Sequence, residues 1–312
     1  MDNLILAFNV VLPLFLCILL GYFLSRTTLM DEHTQKSVNK LCFRVFLPIY
    51  VFNSIYTTDI SEAFNPLLIA LTVIGILCIF VSMMLLIPRI EKSPASCGVM
   101  IQAVFRSNYA LFGLPVAASL CGEQGIGPAS LLVGIVVPVY NILAVICLET
   151  FRGGRPNLRK VLRGIASNPL IIASVLGIAA NVLNIPLPAP VHKSVTDLGR
   201  IATPLSLVAL GAGFKLRALQ GRTRQLAIPL FFKLFFCPLV MLILGTLLGL
   251  RGQTLVPVLV TFGSPVAVSS YTMAEQMDGD GPLAASLVVL STGLSILSMF
   301  FFIFFLKQFG LV

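Results

Sequence analysis

Two clusters of hydrogen-bonding side chains stand beside a repeated, helix-breaking motif. Arg106, Ser107, Asn108 and Tyr109 precede Phe112-Gly113-Leu114-Pro115-Val116-Ala117. Ser264, Ser269, Ser270 and Tyr271 lie in and after Phe262-Gly263-Ser264-Pro265-Val266-Ala267. Hydroxyls, a primary amide and a guanidinium are donors suited to a small ligand rich in acceptors. Gly costs a helix interior about 1 kcal/mol relative to Ala, and Pro about 3. Pro also removes a backbone donor that lipid cannot replace. Each copy of the motif therefore predicts a helix break that frees backbone N–H and C=O groups, and freed helix N-termini attract anions. One break alone reads as a proline kink. Two of one design, one in each half of the chain, predict a pair of discontinuous helices around a binding site. The candidate site is Arg106, Asn108, Tyr109, Gly113 and Pro115 with Gly263, Ser264, Pro265, Ser269 and Ser270.

The charges near these positions are basic. Arg106 stands seven residues before Gly113 on the same predicted helix; substrate contact and snorkelling to the interface both fit it. Arg44, one turn before Pro48, fits a structural role as well as a functional one. Lys233, about two turns inside its apolar segment, reads as a snorkelling side chain. No Asp or Glu lies deep in an apolar segment: Glu149, Asp197 and Glu275 fall at ends, and Asp197 is placed to pair with Arg200 one turn on. An intramembrane charge costs at least about 2.5–3.5 kcal/mol on insertion scales, so buried cations without matching acids favour an anionic substrate over a carboxylate-based cation antiporter. Asn53, a lone polar residue on an apolar helix, is a further candidate contact, with interhelical hydrogen bonding as its plainer role.

Other chemistries find little support. His33 and His192 fall in loops expected on opposite sides, so they form neither a metal site nor a proton relay. Asp278-Gly279-Asp280-Gly281 lacks the later ligands of a calcium loop and reads as a tight turn. The seven cysteines are scattered without a CxxC pair and read as free core residues. Nucleophile-elbow, zinc-protease and nucleotide-binding motifs are absent from positions that would support them, so neither an enzyme nor a cofactor is expected.

The elements that must position these residues are membrane helices. The 312 residues are 57% apolar and 11% charged, far beyond what a soluble core uses. Segments of about 20 apolar residues fall at 3–24, 38–57, 65–88, 98–120, 127–148, 166–184, 196–214, 225–249, 254–277 and 282–306. The first lacks a basic leader and a small-residue cleavage site, so it reads as a retained helix. Arg26, Lys36, Lys40, Arg89, Lys92, Arg152, Arg155, Arg159, Lys160, Arg163, Lys215, Arg217, Arg222 and Arg224 share one side of the resulting topology. Lys193, Arg251 and Lys307 share the other with both termini. The positive-inside rule places the first set in the cytoplasm of a cell-membrane protein and both termini outside. The net charge of +9 is then an orientation signal beside anionic lipid, and no nucleic-acid partner is expected.

The halves also match each other. Pro13-Leu14 and Leu20-Gly21 reappear as Pro169-Leu170 and Leu176-Gly177, a shift of 156 residues. Arg44 and Pro48 reappear as Arg200 and Pro204 at the same shift; the broken motif recurs at 150. Five segments per half is an odd number, so the halves must be oppositely oriented. The expected organisation is a first repeat over 1–148, a basic linker over 149–165 without evident structure, and a second, inverted repeat over 166–312.

Phe105-Arg106-Ser107-Asn108-Tyr109 through Gly113-Leu114-Pro115 resembles the fourth helix of the auxin efflux carrier family, in its bacterial branch related to the plant auxin exporters. Thr203-Pro204-Leu205 with Ala209-Leu210-Gly211-Ala212 is similar to that family's seventh helix, and Ala274-Glu275 to the end of its ninth. The resemblance implies an all-α integral membrane fold of ten helices in two inverted repeats, with helices four and nine broken and crossing. That fold is shared more distantly with bile-acid symporters and sodium–proton antiporters. It implies organic-anion substrates such as auxin, malate or malonate, and maps the family's crossing asparagine onto Asn108. Where plant members have a proline after the second break, this chain has Ser269 and Ser270. The expected function is alternating-access transport of a small carboxylate; a membrane-embedded anion sensor and a channel are the alternatives. Proton or sodium coupling, the direction of transport and assembly as a homodimer stay open.

Overall fold

The structure is a computed structural model that describes residues 2–58, 65–122, 127–152, 158–215 and 219–312. Those residues are almost entirely helical. Helix α1 is Asp2–Leu24; α2 (Glu32–Leu41) runs through a π turn at Cys42–Phe46 into α3 (Leu47–Tyr56); α4 is Pro66–Ile90. Next come α5 (Pro94–Phe105), a π turn at Tyr109–Gly113, α6 (Leu114–Cys121) and α7 (Gly127–Phe151). The second half holds α8 (Leu158–Ser167), α9 (Pro169–Val182) and α10 (Ala189–Gly213). After these, α11 (Thr223–Phe231) passes through a π turn at Phe232–Phe236 into α12 (Cys237–Leu247). The chain ends with α13 (Val256–Gly263), α14 (Val268–Gln276) and α15 (Gly281–Gln308). The linker expected to be unstructured thus carries a helix, α8. Arg155 and Arg217, two of the basic orientation signals, lie outside the described residues.

Several starts are written in the sequence. Asn65, Ser93, Asn168 and Asp280 each accept a backbone N–H of the first turn, and a proline stands one or two residues after each. A polar cap satisfies one orphan donor, and a proline in the first turn removes another without loss.

Among the described residues, four helices are long and apolar enough to cross a membrane: Pro66–Ile90, Gly127–Phe151, Thr223–Leu247 and Gly281–Gln308. Shorter apolar helices accompany them, including Leu12–Leu24, Pro94–Phe105 and Pro169–Val182. Large apolar side chains cover the outside, among them Leu16 and Phe23 on α1, Ile74 and Val81 on α4, Val175 on α9, Ile243 on α12 and Leu297 on α15. In water so extensive an apolar surface would aggregate; here it meets lipid, and the protein is a multi-pass membrane protein. Polarity turns inward instead. On α15, Ser291, Thr292, Ser295 and Ser298 are buried, and each hydroxyl donates to a carbonyl of the same helix three or four residues back.

Helices α1 and α10 cross in close contact, and two glycines permit it. A Cβ at Gly21 would overlap the Val208 carbonyl oxygen, and one at Gly211 would overlap that of Ile18. Gly177 of α9 approaches α3 in the same way: a Cβ there would stand 3.1 Å from the Phe52 carbonyl oxygen. Gly21 to Gly177 is a shift of 156, and so is Phe52 to Val208. The two helix pairs therefore repeat one contact at the spacing found in the sequence.

These contacts give a direct test. Gly21→Val and Gly211→Val should each lower the thermal unfolding midpoint of the purified protein, because overpacking costs about 1–3 kcal/mol. Gly98→Ala should hold or raise it, since its new Cβ would come no closer than 3.4 Å to its surroundings and a helical Gly→Ala change is otherwise favourable.

Candidate functional site

Pro265 cannot donate to the helix before it and holds Ser264 in extended backbone, so α13 stops at Gly263 and the chain runs extended from Ser264 (φ −62°, ψ 149°) to Ala267 (φ −63°, ψ 135°). The first break lies elsewhere than the sequence predicted. The chain leaves α5 at Arg106 (φ −92°, ψ 120°) and resumes helical structure at Tyr109. Phe112-Gly113-Leu114-Pro115 is itself helical, with Pro115 in the first turn of α6, where its missing N–H is not needed. Just ahead of it the π turn carries Leu114 N–H back to the Tyr109 carbonyl. The two copies of the motif thus occupy different places: the second is the break, and the first follows it.

The breaks meet. Ser107 and Val266 pair as an antiparallel bridge, and Asn108 N–H donates to the Pro265 carbonyl at 2.8 Å. Val266 N–H donates to Ser291 Oγ of α15 at 3.1 Å. Gly113 lets the elements close together: a Cβ there would stand 3.2 Å from Val260 Cβ and 3.3 Å from Ser264 Oγ. Gly263 is confined in turn by Met299 Sδ, 3.1 Å from where its Cβ would lie.

A cavity of about 60 Å³ opens beside the crossing. A single water needs roughly 10–15 Å³ on that measure, so the space holds a ligand of a few heavy atoms. Its polar lining includes Arg106, Ser107, Asn108 and Tyr109 at the first break, Tyr140 and Asn141 of α7, Thr203 of α10 and Ser269 of α14. The predicted Arg106, Asn108, Tyr109 and Ser269 are thus brought together. Gly113, Pro115, Gly263, Ser264 and Pro265 shape the crossing without lining the cavity. The Ser264 hydroxyl donates to the Val260 carbonyl of its own helix, and the buried Ser270 hydroxyl has no hydrogen-bond partner. Asn53 takes the plainer of its two roles: it accepts from Thr196 Oγ1 at 3.3 Å, joining α3 to α10 away from the cavity.

Arg106 does not snorkel. It is 4% exposed, and its Nη2 donates to Asn141 Oδ1 at 2.7 Å. Its Nη1 faces Met273 Sδ at 2.6 Å. With the Gln102 amide turned to suit its neighbours, the Gln102 oxygen also accepts from Arg106 Nη1 at 3.1 Å. The Asn108 side-chain nitrogen is buried with no hydrogen-bond partner, an arrangement that costs free energy until an acceptor arrives. Tyr109 is oriented by its hydroxyl, which donates to the Ala129 carbonyl at 2.7 Å.

Lys233 corrects the sequence reading most. It is 1% exposed, and its Nζ donates to Ser107 Oγ inside the crossing. Tyr140, Asn141 and Thr203 line the cavity without being among the candidates above; isolated polar residues on apolar helices are their signal in the sequence, as for Asn53. By contrast Asp197 pairs with Arg200 at 3.8 Å on an exposed helix end, as its spacing predicts. No ion pair among the described residues involves Arg106 or Lys233.

Residues 6–303 match the family described as membrane transport protein. An uncharacterized transporter of Methanocaldococcus jannaschii is 25% identical over 298 residues, covering 93% of this chain and 95% of the relative. A protein of Rhizobium meliloti named "Putative malonate transporter" is 23% identical over 295 residues, 92% of each chain. The uncharacterized transporter YfdV of Escherichia coli is 22% identical over 289 residues, 89% of this chain and 92% of the relative. The family match spans nearly the whole chain and takes in both broken helices. The chain belongs to the membrane transport protein family, that of the auxin efflux carriers, and is a transport protein rather than an enzyme.

Proposed function

We propose that this protein is a secondary carrier for a small organic anion, a carboxylate of malonate or malate size, working by alternating access. The observation that carries the reading is the cavity at the crossing, where Arg106 has no acidic partner and the Asn108 amide has a free donor. A carboxylate would satisfy both: the guanidinium neutralises its charge, and the amide donates to its oxygen. The small cavity favours a substrate of few heavy atoms over a bulky aromatic acid. The name of the Rhizobium meliloti relative is consistent with this size class.

The architecture we infer is two inverted five-helix repeats, 1–148 and 166–312, joined by the basic linker. Support comes from the repeated glycine contact at a shift of 156 residues, Gly21 on Val208 and Gly177 on Phe52. It also comes from the two broken helices, α5–α6 and α13–α14, which hold corresponding places in the two halves. Helices α1, α3, α9 and α10 form a frame through the α1–α10 and α3–α9 contacts, and movement of the crossing elements against that frame would expose the cavity to either side. Basic loops in the cytoplasm and termini outside complete the reading.

Three outcomes are expected. Wild-type protein in liposomes should show counterflow, in which internal unlabelled malonate or malate accelerates uptake of the labelled acid; linear, unsaturable flux would indicate a channel, and binding without flux a sensor. Asn108→Ala and Arg106→Gln should remain folded but lose stabilisation by the same acids. Removing a charge-assisted hydrogen bond costs about 1.5–3 kcal/mol, so affinity should drop roughly ten- to a hundredfold; unchanged affinity in both variants would displace the site from the cavity. An epitope at the N-terminus should be labelled on intact cells without permeabilisation, and labelling only after permeabilisation would reverse the topology.

A further inference from the structure

Lys233 reaches the crossing from outside the two broken helices. It sits on the π turn that joins α11 to α12, in a run of phenylalanines. Phe231, Phe235 and Phe236 point outward to the lipid surface, at 57%, 44% and 46% exposure, while Lys233 is buried. A snorkelling lysine sends its ammonium toward water; this one sends it to the centre of the fold.

Its destination is electrically defined. Helix α13 ends at Gly263, so the carbonyls of its last turn have no intrahelical partner, and that end carries the negative pole of the helix. The Thr261 carbonyl in that turn is met by two hydroxyls. Ser107 Oγ donates to it, and Tyr140 OH donates to it at 3.2 Å. Lys233 Nζ donates to the same Ser107 Oγ. The ammonium is therefore one hydroxyl from the carbonyl end of a broken helix, and its charge is relayed to that end through a polarised Ser107 O–H. Unwound carbonyls and half-helix C-terminal ends in a membrane interior are places where carriers hold sodium ions or protons. Among the described residues no group of three His, Cys, Asp or Glu could hold a metal ion instead.

We propose that Lys233 is a tethered cation: its ammonium stands where a coupling sodium ion would otherwise neutralise the carbonyl end of α13, so the crossing is complete without sodium. Its consequence for transport rests on the carrier reading given above, whereas the cation place itself does not. Lys233 is in this sense a positioning residue, acting on the cavity through Ser107, which lines it.

The experiment compares thermal unfolding of the purified protein in sodium chloride and in choline chloride. Wild type should unfold at the same midpoint in both salts. Lys233→Ala should unfold several degrees lower in choline chloride, and millimolar n-propylammonium or sodium chloride should recover at least half of that loss, because each supplies a cation small enough for the vacated space. Saturable, sodium-specific stabilisation of the wild type would overturn the proposal, as would a Lys233→Ala protein as stable as wild type. Should Lys233→Ala not be recovered folded, Lys233→Arg and Lys233→Met decide: Arg keeps the charge and should yield folded protein, Met should not, and equal recovery of both overturns the proposal. Malonate binding separates the two readings. Wild type that binds malonate but needs sodium sinks only the tethered cation; wild type indifferent to sodium that binds no carboxylate sinks only the anion carrier.

Discussion

Inside a membrane every backbone N–H and C=O must find a partner within the protein, because lipid offers none. Two interrupted helices at the same depth violate that requirement singly and satisfy it jointly. The break after α13 leaves the Pro265 carbonyl without a helical partner, and the break after α5 leaves Asn108 N–H without one; the two bond to each other at 2.8 Å. The Ser107–Val266 bridge and the Val266 bond to Ser291 add to this pairing. Much else follows from this mutual dependence. Gly113 must be small so that the broken elements can approach, and Ser291 of α15 must stand at the crossing to accept the Val266 N–H.

Charge is organised by the same constraint. Arg106 and Lys233 are buried side chains with hydrogen-bond partners but no carboxylate. A buried cation with neutral partners alone is expensive, and the two are used differently. Arg106 lines the cavity, where an anion can neutralise it. Lys233 reaches Ser107, whose hydroxyl meets the carbonyl end of α13. On our reading one charge is compensated by substrate and the other by helix backbone, so a positive site for an anion coexists with a negative helix terminus only a few residues away.

Close helix contact supplies the frame around the crossing. Lipid gives helices no hydrophobic reason to associate, so small residues that bring backbones together do much of the work. Gly21, Gly177 and Gly211 fill that role where α1 meets α10 and α3 meets α9. At Gly21 and Gly211 the contact is backbone-to-backbone and leaves no room for an added methyl group; at Gly177 it is tight. The cavity between frame and crossing is lined from both sides, by Thr203 on α10 and by Arg106, Asn108 and Ser269 at or beside the breaks. Relative movement of the two would therefore remake the cavity rather than deform one wall.

Sequence alone determined the solvent, the helical class and the neighbourhood of the two breaks. Apolar runs of membrane length, cap-and-proline starts such as Ser93-Pro94, and the polar cluster Arg106–Tyr109 are local properties, and local chemistry dictates them. It also determined the second break, because Pro265 denies a hydrogen bond wherever it stands. The first break was misplaced at Gly113–Pro115 for a physical reason: a proline in the first turn of a new helix is harmless, and a π turn absorbs it. Arg106–Asn108 opens instead because the other break offers its backbone a partner, a cause 157 residues away in the chain for Asn108 and Pro265. Lys233 was legible as a charge in an apolar run but not as an inward one. The π turn beneath it and the position of Ser107 settle its direction, and neither is encoded within reach of a helical period. Which residues are polar, and where helices begin, is fixed by neighbours in sequence. Which backbone groups are left wanting, and which side chains answer them, is decided only when distant segments meet.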